Sequence, residues 1–565
     1  MSKFTDRIAK VAADSALGLR FGTAGNLHFA SWHDINQSAG KVAGRLAAEG
    51  VTRGARVGVL AANAEDVAPV VQGIWKLGAA MTMLQQPTSQ ADLSEWHEGT
   101  LRALSLLEAH CVLVGRPFVA VADALRASGY RVIEVPDTWA GADAAEEPTG
   151  EDDVAIYQLT SGSTGDPKAV AITHGNLYAD IAAMVAEVRI DACVDVTMSW
   201  LPLSHDMGLI AYLLSPMFAG NAAVYIPPTE FVKSPLAWLQ ILTEQRATVT
   251  AAPNFAYSIV SRRLRAVSDG AYDLSALRCV VSGAEPIDPV TMYEFAQQAA
   301  RFGMRVSAIG AAYGLAEATV AVSFSRVDRP LAVENVCADE LETHGRAVTG
   351  CVCGAPKKEF VLLGRPMSGV QVRIADEDRG TRPARHLGEV AIRGDAVTRH
   401  YLTAHGEVAA VDAYGWFYTG DLGYLTDDGE IVVCGRRKNV IIVAGRNIFP
   451  SDIERLAASV DGIRRGGVVA FGVTLADQRE EIRIVAETVQ EDPGEAAHEI
   501  RRQIGRKVRS ATGLSPTVLL VGKGKVPKTP SGKIRHVAAK EMFGEVLGEV
   551  LGEVLGEVLG EVEAL

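Results

Sequence analysis

Apolar positions along the chain come in two patterns that take turns: short continuous runs, and longer stretches spaced three and four apart. Residues 33–50 carry apolar and small side chains at helical spacing and stop on Gly50, a residue suited to a helix C-cap. Residues 56–61 (RVGVLA) are continuously apolar, as a strand buried on both faces is. Residues 64–77 return to helical spacing and end at Gly78, and the runs 112–115 and 131–135 extend the alternation. Strands alternating with helices predict an α/β fold with a mostly parallel sheet. The most apolar stretch, 209–226, is interrupted by Ser215, Pro216, Gly220 and Asn221, which predicts buried helix and strand and not a membrane span.

Further along, three runs end in Gly- or Pro-marked breaks. Residues 248–260 (TVTAAPNFAYSIV) read as a strand broken at Pro253. Residues 278–288 form a strand ending at Ser282-Gly283, after which Asp288 and Pro289 open a helix as N-cap and first residue. Residues 305–319 (RVSAIGAAYGLAEAT) form a strand whose Gly-rich end presents Tyr313 and Glu317. Ligands of open α/β sheets sit outside the carboxyl ends of the strands, so the Gly-punctuated ends at 162, 283 and 310–314 are expected to converge on one crevice. Residues 320–363 show no clear period. Residues 388–394 and 430–436 look antiparallel and half-buried, with 418–423 (YTGDLG) as a turn between them. From Lys438 the pattern restarts: a strand and turn over 439–447, a helix over 452–459, strands at 467–473 and 481–489, a helix over 495–510 and a strand at 517–522. That is an independent α+β domain of about a hundred residues, an ordinary size for one.

Two of the short runs, 154–158 and 169–173, flank the segment LTSGSTGDPK (159–168). Gly162 and Gly165 let the backbone curl and approach a ligand, since no Cβ stands in the way. Thr160, Ser161, Ser163 and Thr164 add hydroxyls and Lys168 adds a cation, which together suit a polyphosphate. The spacing is not that of the GxxxxGK-S/T loop, and a strand follows instead of a helix. A second basic loop, GKGKVPKTPSGKIRH (522–536), gathers Lys523, Lys525, Lys528, Lys533, Arg535 and His536. His205 and Asp206 lie in a turn bounded by Pro202 and Gly208.

Composition narrows the classes. At 565 residues the chain exceeds a single core. Its formal net charge of −13 argues against a nucleic acid as main partner. Seven cysteines form no disulfide framework, and Cys351-x-Cys353 has no matching pair at zinc spacing, so a reducing cytoplasm is the expected setting. The repeated GEVL of 544–565 places a glycine every fourth residue, which disfavours a helix, so a frayed or disordered tail is expected there.

The motifs LTSGSTGDPK, YGLAEAT, YTGDLG, GRRKNVIIVAGRN and KTPSGKIR, in this order, resemble those of the adenylate-forming superfamily of acyl and aryl ligases and adenylation domains. The resemblance covers nearly the whole chain apart from the tail. WLPLSHDMGLI, AAPNFAY and YGLAEAT, with Ala316 before Glu317, look more narrowly like the fatty acyl-AMP ligases, and residues 320–363 look like the insertion of that branch. Pro167-Lys168 looks instead like the CoA-ligase type of loop.

What the resemblance implies is a large α/β adenylation domain (1–434) with a small β-barrel-like part, a hinge (435–438, Lys438 at the pivot) and a small mobile α+β domain (439–543). The implied substrates are ATP with Mg²⁺ and a fatty acid, the product an acyl adenylate, and the acceptor an acyl carrier protein. Residues 160–165 (Thr160, Ser161, Gly162, Ser163, Thr164, Gly165) and Lys168 would hold phosphates, and Glu317 the Mg²⁺. Ser282, Gly283, Ala284, Glu285, Ala312, Tyr313 and Gly314 would wall the adenine, with Asp421 and Arg436 on the ribose. His205, Asn254 and Phe255 would line the acyl site, His205 at its carboxylate end. Lys533 would bridge carboxylate and α-phosphate, for which a point cation on a long stem is suited. The enzyme rival is a fatty acyl-CoA ligase; a non-catalytic nucleotide or lipid sensor is disfavoured by the joint presence of Glu317, Asp421 and Lys533.

Overall fold

A computed structural model gives the fold. It describes residues 1–87, 93–160, 168–350, 356–443, 446–474, 480–489, 496–528 and 534–544. Two large mixed sheets carry the first unit. The nine-stranded one runs Arg365–Pro366, Ser323–Phe324, Ile309–Tyr313, Cys279–Ser282, Val249–Ala252, Val196–Ser199, Ala222–Tyr225, Gly18–Thr23, Asn26–Ser31. Its six central strands are parallel. The eight-stranded one runs Gly406–Ala409, His400–Thr403, Lys168–Thr173, Val154–Thr160, Ala80–Met83, Arg56–Leu60, Cys111–Val114, Val132–Glu134.

The predicted elements of this unit form for the reasons their pattern gives. Trp32–Ala48 is a helix begun by a capping box, in which the Ser31 hydroxyl accepts from Asp34 N and the Asp34 carboxylate accepts from Ser31 N. Arg56–Leu60 is a strand and Ala64–Lys76 a helix buried along most of its length. The apolar stretch near 209–226 becomes a π-helix, Met207–Leu214, a short α-helix, Ser215–Ala219, and the strand Ala222–Tyr225.

The strand expected to break at Pro253 does so: it is Val249–Ala252, and past Pro253 the chain is a helix, Asn254–Leu264, with Val260 and Leu264 facing the core. Two expectations are corrected. YTGDLG lies inside a strand, Phe417–Leu425, and not in a turn. Gly420 at φ +73° and a bulge between Leu422 and Gly423 let that strand bend while staying paired with Ile431–Arg436. The stretch 320–363, aperiodic in sequence, contains the strands Ser323–Phe324, Val333–Cys337 and Lys357–Val361 and the helix Ala338–His344. These elements are two to seven residues long, too short to show a period. The small β part is an open four-stranded sheet, of order Val370–Ala375, Gly388–Gly394, Phe417–Leu425, Ile431–Arg436; no closed barrel is found among the described residues.

Two compact units emerge: Met1–Val333 with Val361–Arg373 and Ala391–Thr419, and Glu334–Phe360 with Ile374–Val390 and Gly420–Leu565. The second is built on a three-stranded sheet, Ile463–Thr474, Glu480–Thr488, Thr517–Val521. Alternation along its strands sends side chains to two cores. Val468, Ala470, Ile482, Ile484 and Ala486 pack with Ile500, Ile504 and Val508 of the helix Ala496–Thr512. Val469, Phe471 and Val485 pack on the opposite face with Val526 and with Ala539 of the helix His536–Gly544.

Within this unit Glu334–Phe360 is tied down by charge. Lys358, buried to 10 % side-chain exposure, holds Glu342 at 2.7 Å and Asp452 at 2.6 Å. Arg446 also pairs with Glu342, and its Nη1 donates to the Thr512 carbonyl at 2.8 Å.

Candidate active site

In the first unit the carboxyl ends of three parallel strands stand side by side, with Ala252 opposite Ser282 and Ser282 opposite Ala311. The chain following each strand end therefore collects at one edge of the sheet. Glu285 Oε1 accepts the Phe255 amide at 2.8 Å, and Asn254 Oδ1 accepts the Asp288 amide at 3.2 Å. The predicted acyl-lining pair Asn254–Phe255 and the predicted adenine wall 282–285 are thus hydrogen-bonded neighbours. Asp288 caps the helix Pro289–Ala300 as the sequence implies, accepting from Thr291 N at 3.1 Å.

The third strand end is the most constrained. A Cβ on Gly314 would come within 1.8 Å of the Val320 carbonyl oxygen, so only glycine lets the chain double back here. Ala284 and Thr319 both have positive φ, +66° and +68°. For β-branched Thr319 that is an outlier costing about 1–3 kcal/mol, and such strain gathers at functional sites. Its hydroxyl donates to the Ala396 carbonyl at 2.7 Å in a fully buried position, and the Glu317 carbonyl accepts from Thr398 N at 2.8 Å. The turn 317–319 is thereby pinned at both ends.

That pinning fixes the Glu317 side chain. Oε1 accepts the Tyr401 hydroxyl at 2.7 Å, and Lys168 Nζ stands 3.7 Å from the same oxygen. Lys168 Nζ also lies 3.8 Å from the centre of the Tyr401 ring, a cation–π contact. Lys168 reaches this point because it begins the strand Lys168–Thr173, paired with both Val154–Thr160 and His400–Thr403. Predicted phosphate residues Thr160 and Lys168 lie directly opposite each other; Ser161, Gly162, Ser163, Thr164 and Gly165 lie outside the described residues.

His205 Nδ1 is 2.6 Å from Asp206 Oδ1, and that oxygen also caps the π-helix by accepting Met207 N at 2.7 Å. Gln158 Nε2 donates to the Ser204 carbonyl at 3.2 Å, which ties the histidine turn to the strand that leads into residues 161–167. Asp180 is fully buried beside this region, its Oδ1 3.4 Å from Ala321 N. Burial, with the Asp206 charge nearby, pushes its pKa well above the usual carboxylate range.

In the second unit Asp421 is 5 % exposed and sits opposite Arg436, whose Nε is 2.9 Å from its Oδ1. Glu389 accepts from Gly420 N at 2.9 Å and from Arg437 at 3.0 Å, bracing the strand on both sides of this pair. Lys438 is exposed in the 3₁₀ turn Arg437–Asn439. Lys533 lies outside the described residues, but its flanks are fixed. Lys528 and Ile534 form an antiparallel bridge, and Arg535 N donates to the Pro527 carbonyl at 2.9 Å. His536 Nε2 meets Glu454 Oε1 at 2.7 Å. Burial alone would lower that imidazole's pKa, but the hydrogen bond and charge of Glu454 outweigh it and raise it.

Tyr401, Thr319 and Asp180 escape sequence reasoning. Tyr401 stands 84 residues from Glu317, in a short strand bearing no motif. The strain at Thr319 shows only in φ. Cys351 and Cys353 lie outside the described residues, and no cluster of three or more His, Cys, Asp or Glu suited to a metal occurs among the described ones. No helix among the described residues is long and apolar enough to cross a membrane.

The chain belongs to the AMP-binding enzyme family, whose model matches residues 19–402, and it is an adenylate-forming ligase. It is 42 % identical to a Mycobacterium tuberculosis protein named as a ligase, Rv1013, over 95 % of this chain and 98 % of that one. It is 30 % identical to the fatty-acid–CoA ligase fadD25 of M. tuberculosis, over 70 % of each. Among solved structures it superposes on one of the fatty acyl-adenylate ligases of E. coli and L. pneumophila with a TM-score of 0.88, 28 % identity, and 97 % and 98 % coverage.

Proposed function

We propose that the protein activates a fatty acid with ATP as an acyl adenylate, releasing pyrophosphate, and passes the acyl group to the phosphopantetheine arm of a carrier protein. The observation that carries this reading is the end-to-end likeness to a fatty acyl-adenylate ligase, together with a Glu317–Tyr401–Lys168 cluster where such chemistry needs charge. Attack of a carboxylate on an α-phosphate brings two anions together, so catalysis is chiefly neutralisation and in-line positioning. Lys168 at the loop exit and Lys533 supply cations, and Asp421 has the acceptor oxygens that two ribose hydroxyls require. Glu317 fits Mg²⁺ as a single carboxylate ligand, the rest coming from phosphate and water, which is how that hard cation is ordinarily held. Bound there, Mg²⁺ would offset the charge gathering on the departing pyrophosphate. The 282–285 and 312–314 segments (Ser282, Gly283, Ala284, Glu285; Ala312, Tyr313, Gly314) serve as adenine walls in this reading, His205 faces the carboxylate, and residues 435–438 act as hinge.

The test is fatty-acid-dependent exchange of labelled pyrophosphate into ATP, then parallel assays with coenzyme A and a holo carrier protein. Efficient acyl-CoA formation would replace the carrier reading with that of a CoA ligase, which the likeness to fadD25 favours. The acyl wall gives a second check. Phe255→Trp, or a bulkier residue at Asn254, is expected to shift chain-length preference toward shorter acids with little change in KM for ATP. A uniform loss over all chain lengths would mark folding damage instead.

A further inference from the structure

We propose that the outward face of the helix Ala496–Thr512 is a docking surface for an acidic protein partner, namely the carrier protein of the function proposed above, on which this inference rests. The helix presents Ile500, Ile504 and Val508 to the sheet. Opposite them Arg502, Arg506 and Arg509 recur at i, i+4 and i+7, all exposed, with exposed Arg501 and Lys507 at the two margins. Five cations stand against one acid, Glu499, within one helix of a chain whose net charge is −13. Glu499 meets Arg502, and Lys507 donates to Ser459 Oγ at 2.8 Å; neither Arg501 nor Arg509 has an ion pair among the described residues. The Lys507 bond and the packing of Ile500 on Gly462 bring the corner 459–466 against the helix.

A solvated helix face ordinarily mixes signs, because like charges four apart repel. The helix dipole accounts for a cation at Arg509, in the last turn, and not for Arg501, Arg502 or Arg506. A stripe that works against the helix's own stability is matched by a partner of opposite sign, where it steers encounter and fixes orientation. The sheet supplies a further reason. The basic helix covers the face of Val468 and Ala470, whereas Val526, Ala539 and the residues flanking Lys533 belong to the face of Val469 and Phe471. A carrier held on the first face leaves the second unobstructed, so docking and adenylation need not compete within this unit.

The experiment uses the full chain and two variants, Arg502→Glu/Arg506→Glu/Arg509→Glu and the same three positions changed to Gln. Each is checked by thermal melting and by pyrophosphate exchange with a fatty acid, which both should retain. Binding and acylation are then measured with a holo form of a discrete acidic acyl carrier protein across a salt series. The expected result is salt-sensitive binding by the parent, a KM for carrier raised roughly tenfold or more by the Glu variant and less by the Gln variant, and kcat nearly kept at saturation. Unchanged carrier KM in both variants overturns the proposal. So does undetectable carrier binding by a parent that still exchanges pyrophosphate, and the adenylation reading then survives. Carrier binding lost in the variants, in a parent without exchange, sustains the docking surface and sinks the proposed activity. Binding instead to anionic phosphatidylglycerol vesicles, abolished by the same substitutions, overturns the protein partner in favour of a lipid surface.

Discussion

Lys533→Ala is expected to lower fatty-acid-dependent pyrophosphate exchange by roughly 10² or more, the size of one lost electrostatic contact made in the transition state. Thermal stability should be unchanged, because the flanks of the loop are held by the Lys528–Ile534 bridge and the Arg535–Pro527 hydrogen bond, neither of which involves the lysine side chain. Lys533→Arg should recover little, since a planar fork does not replace a point cation between two oxygens. Glu317→Gln should show a comparable loss, with a Mg²⁺ requirement moved to higher concentration. Tyr401→Phe, which removes only the hydroxyl held at 2.7 Å, should cost far less. Full exchange in Lys533→Ala would remove that residue from the chemistry and leave the cluster around Glu317 as the sole source of neutralisation.

Breaking the charge network of the second unit is expected to give the largest loss of stability. Lys358→Ala leaves Asp452 and the nearly inaccessible Glu342 without their shared cation, and losing one partner of a buried pair typically costs about 3–5 kcal/mol. Arg446 still faces Glu342, so the lower end, about 3 kcal/mol, is expected in urea unfolding of this unit. Lys358→Met with Asp452→Leu and Glu342→Leu should recover part of it, as apolar replacement of a whole buried network often does. Burial works to lower the Lys358 pKa, but Asp452 and Glu342 outweigh it and the net shift is upward. A raised cation pKa means that the stabilisation is complete below the free value of 10.5 and fades as pH rises through the folded value. The Lys358 contribution should therefore persist through neutral pH and fade only under strongly alkaline conditions. A Lys358→Ala chain that unfolds like the parent would show that the Lys358 ion pairs add nothing to the hold on Glu334–Phe360.

The amino-acid sequence by itself determined the α/β class, the alternation around Arg56–Leu60 and Ala64–Lys76, and the helix start at Asp288-Pro289. Each of these rests on local causes: a hydrophobic period, a cap, a fixed proline φ. Motif order alone also singled out Lys168, Glu317, Asp421 and Arg436, and the fold pairs them as Lys168 with Glu317 and Asp421 with Arg436.

Only the tertiary structure decided the rest. YTGDLG has the composition of a turn, yet cross-strand pairing holds it in Phe417–Leu425, because partners such as Arg436 for Asp421 and Gly435 for Leu422, distant in sequence, outweigh local preference. Asn254 begins a helix because the core receives Val260 and Leu264, which Pro253 gives no sign of. Tyr401 reaches Glu317 through the pairing of His400–Thr403 with Lys168–Thr173. Glu334–Phe360 found its place through Glu342, Lys358, Asp452 and Arg446, residues spread over more than a hundred positions. Charges brought together across such separations leave no periodic trace in the sequence; their partners exist only once the sheets have set the register.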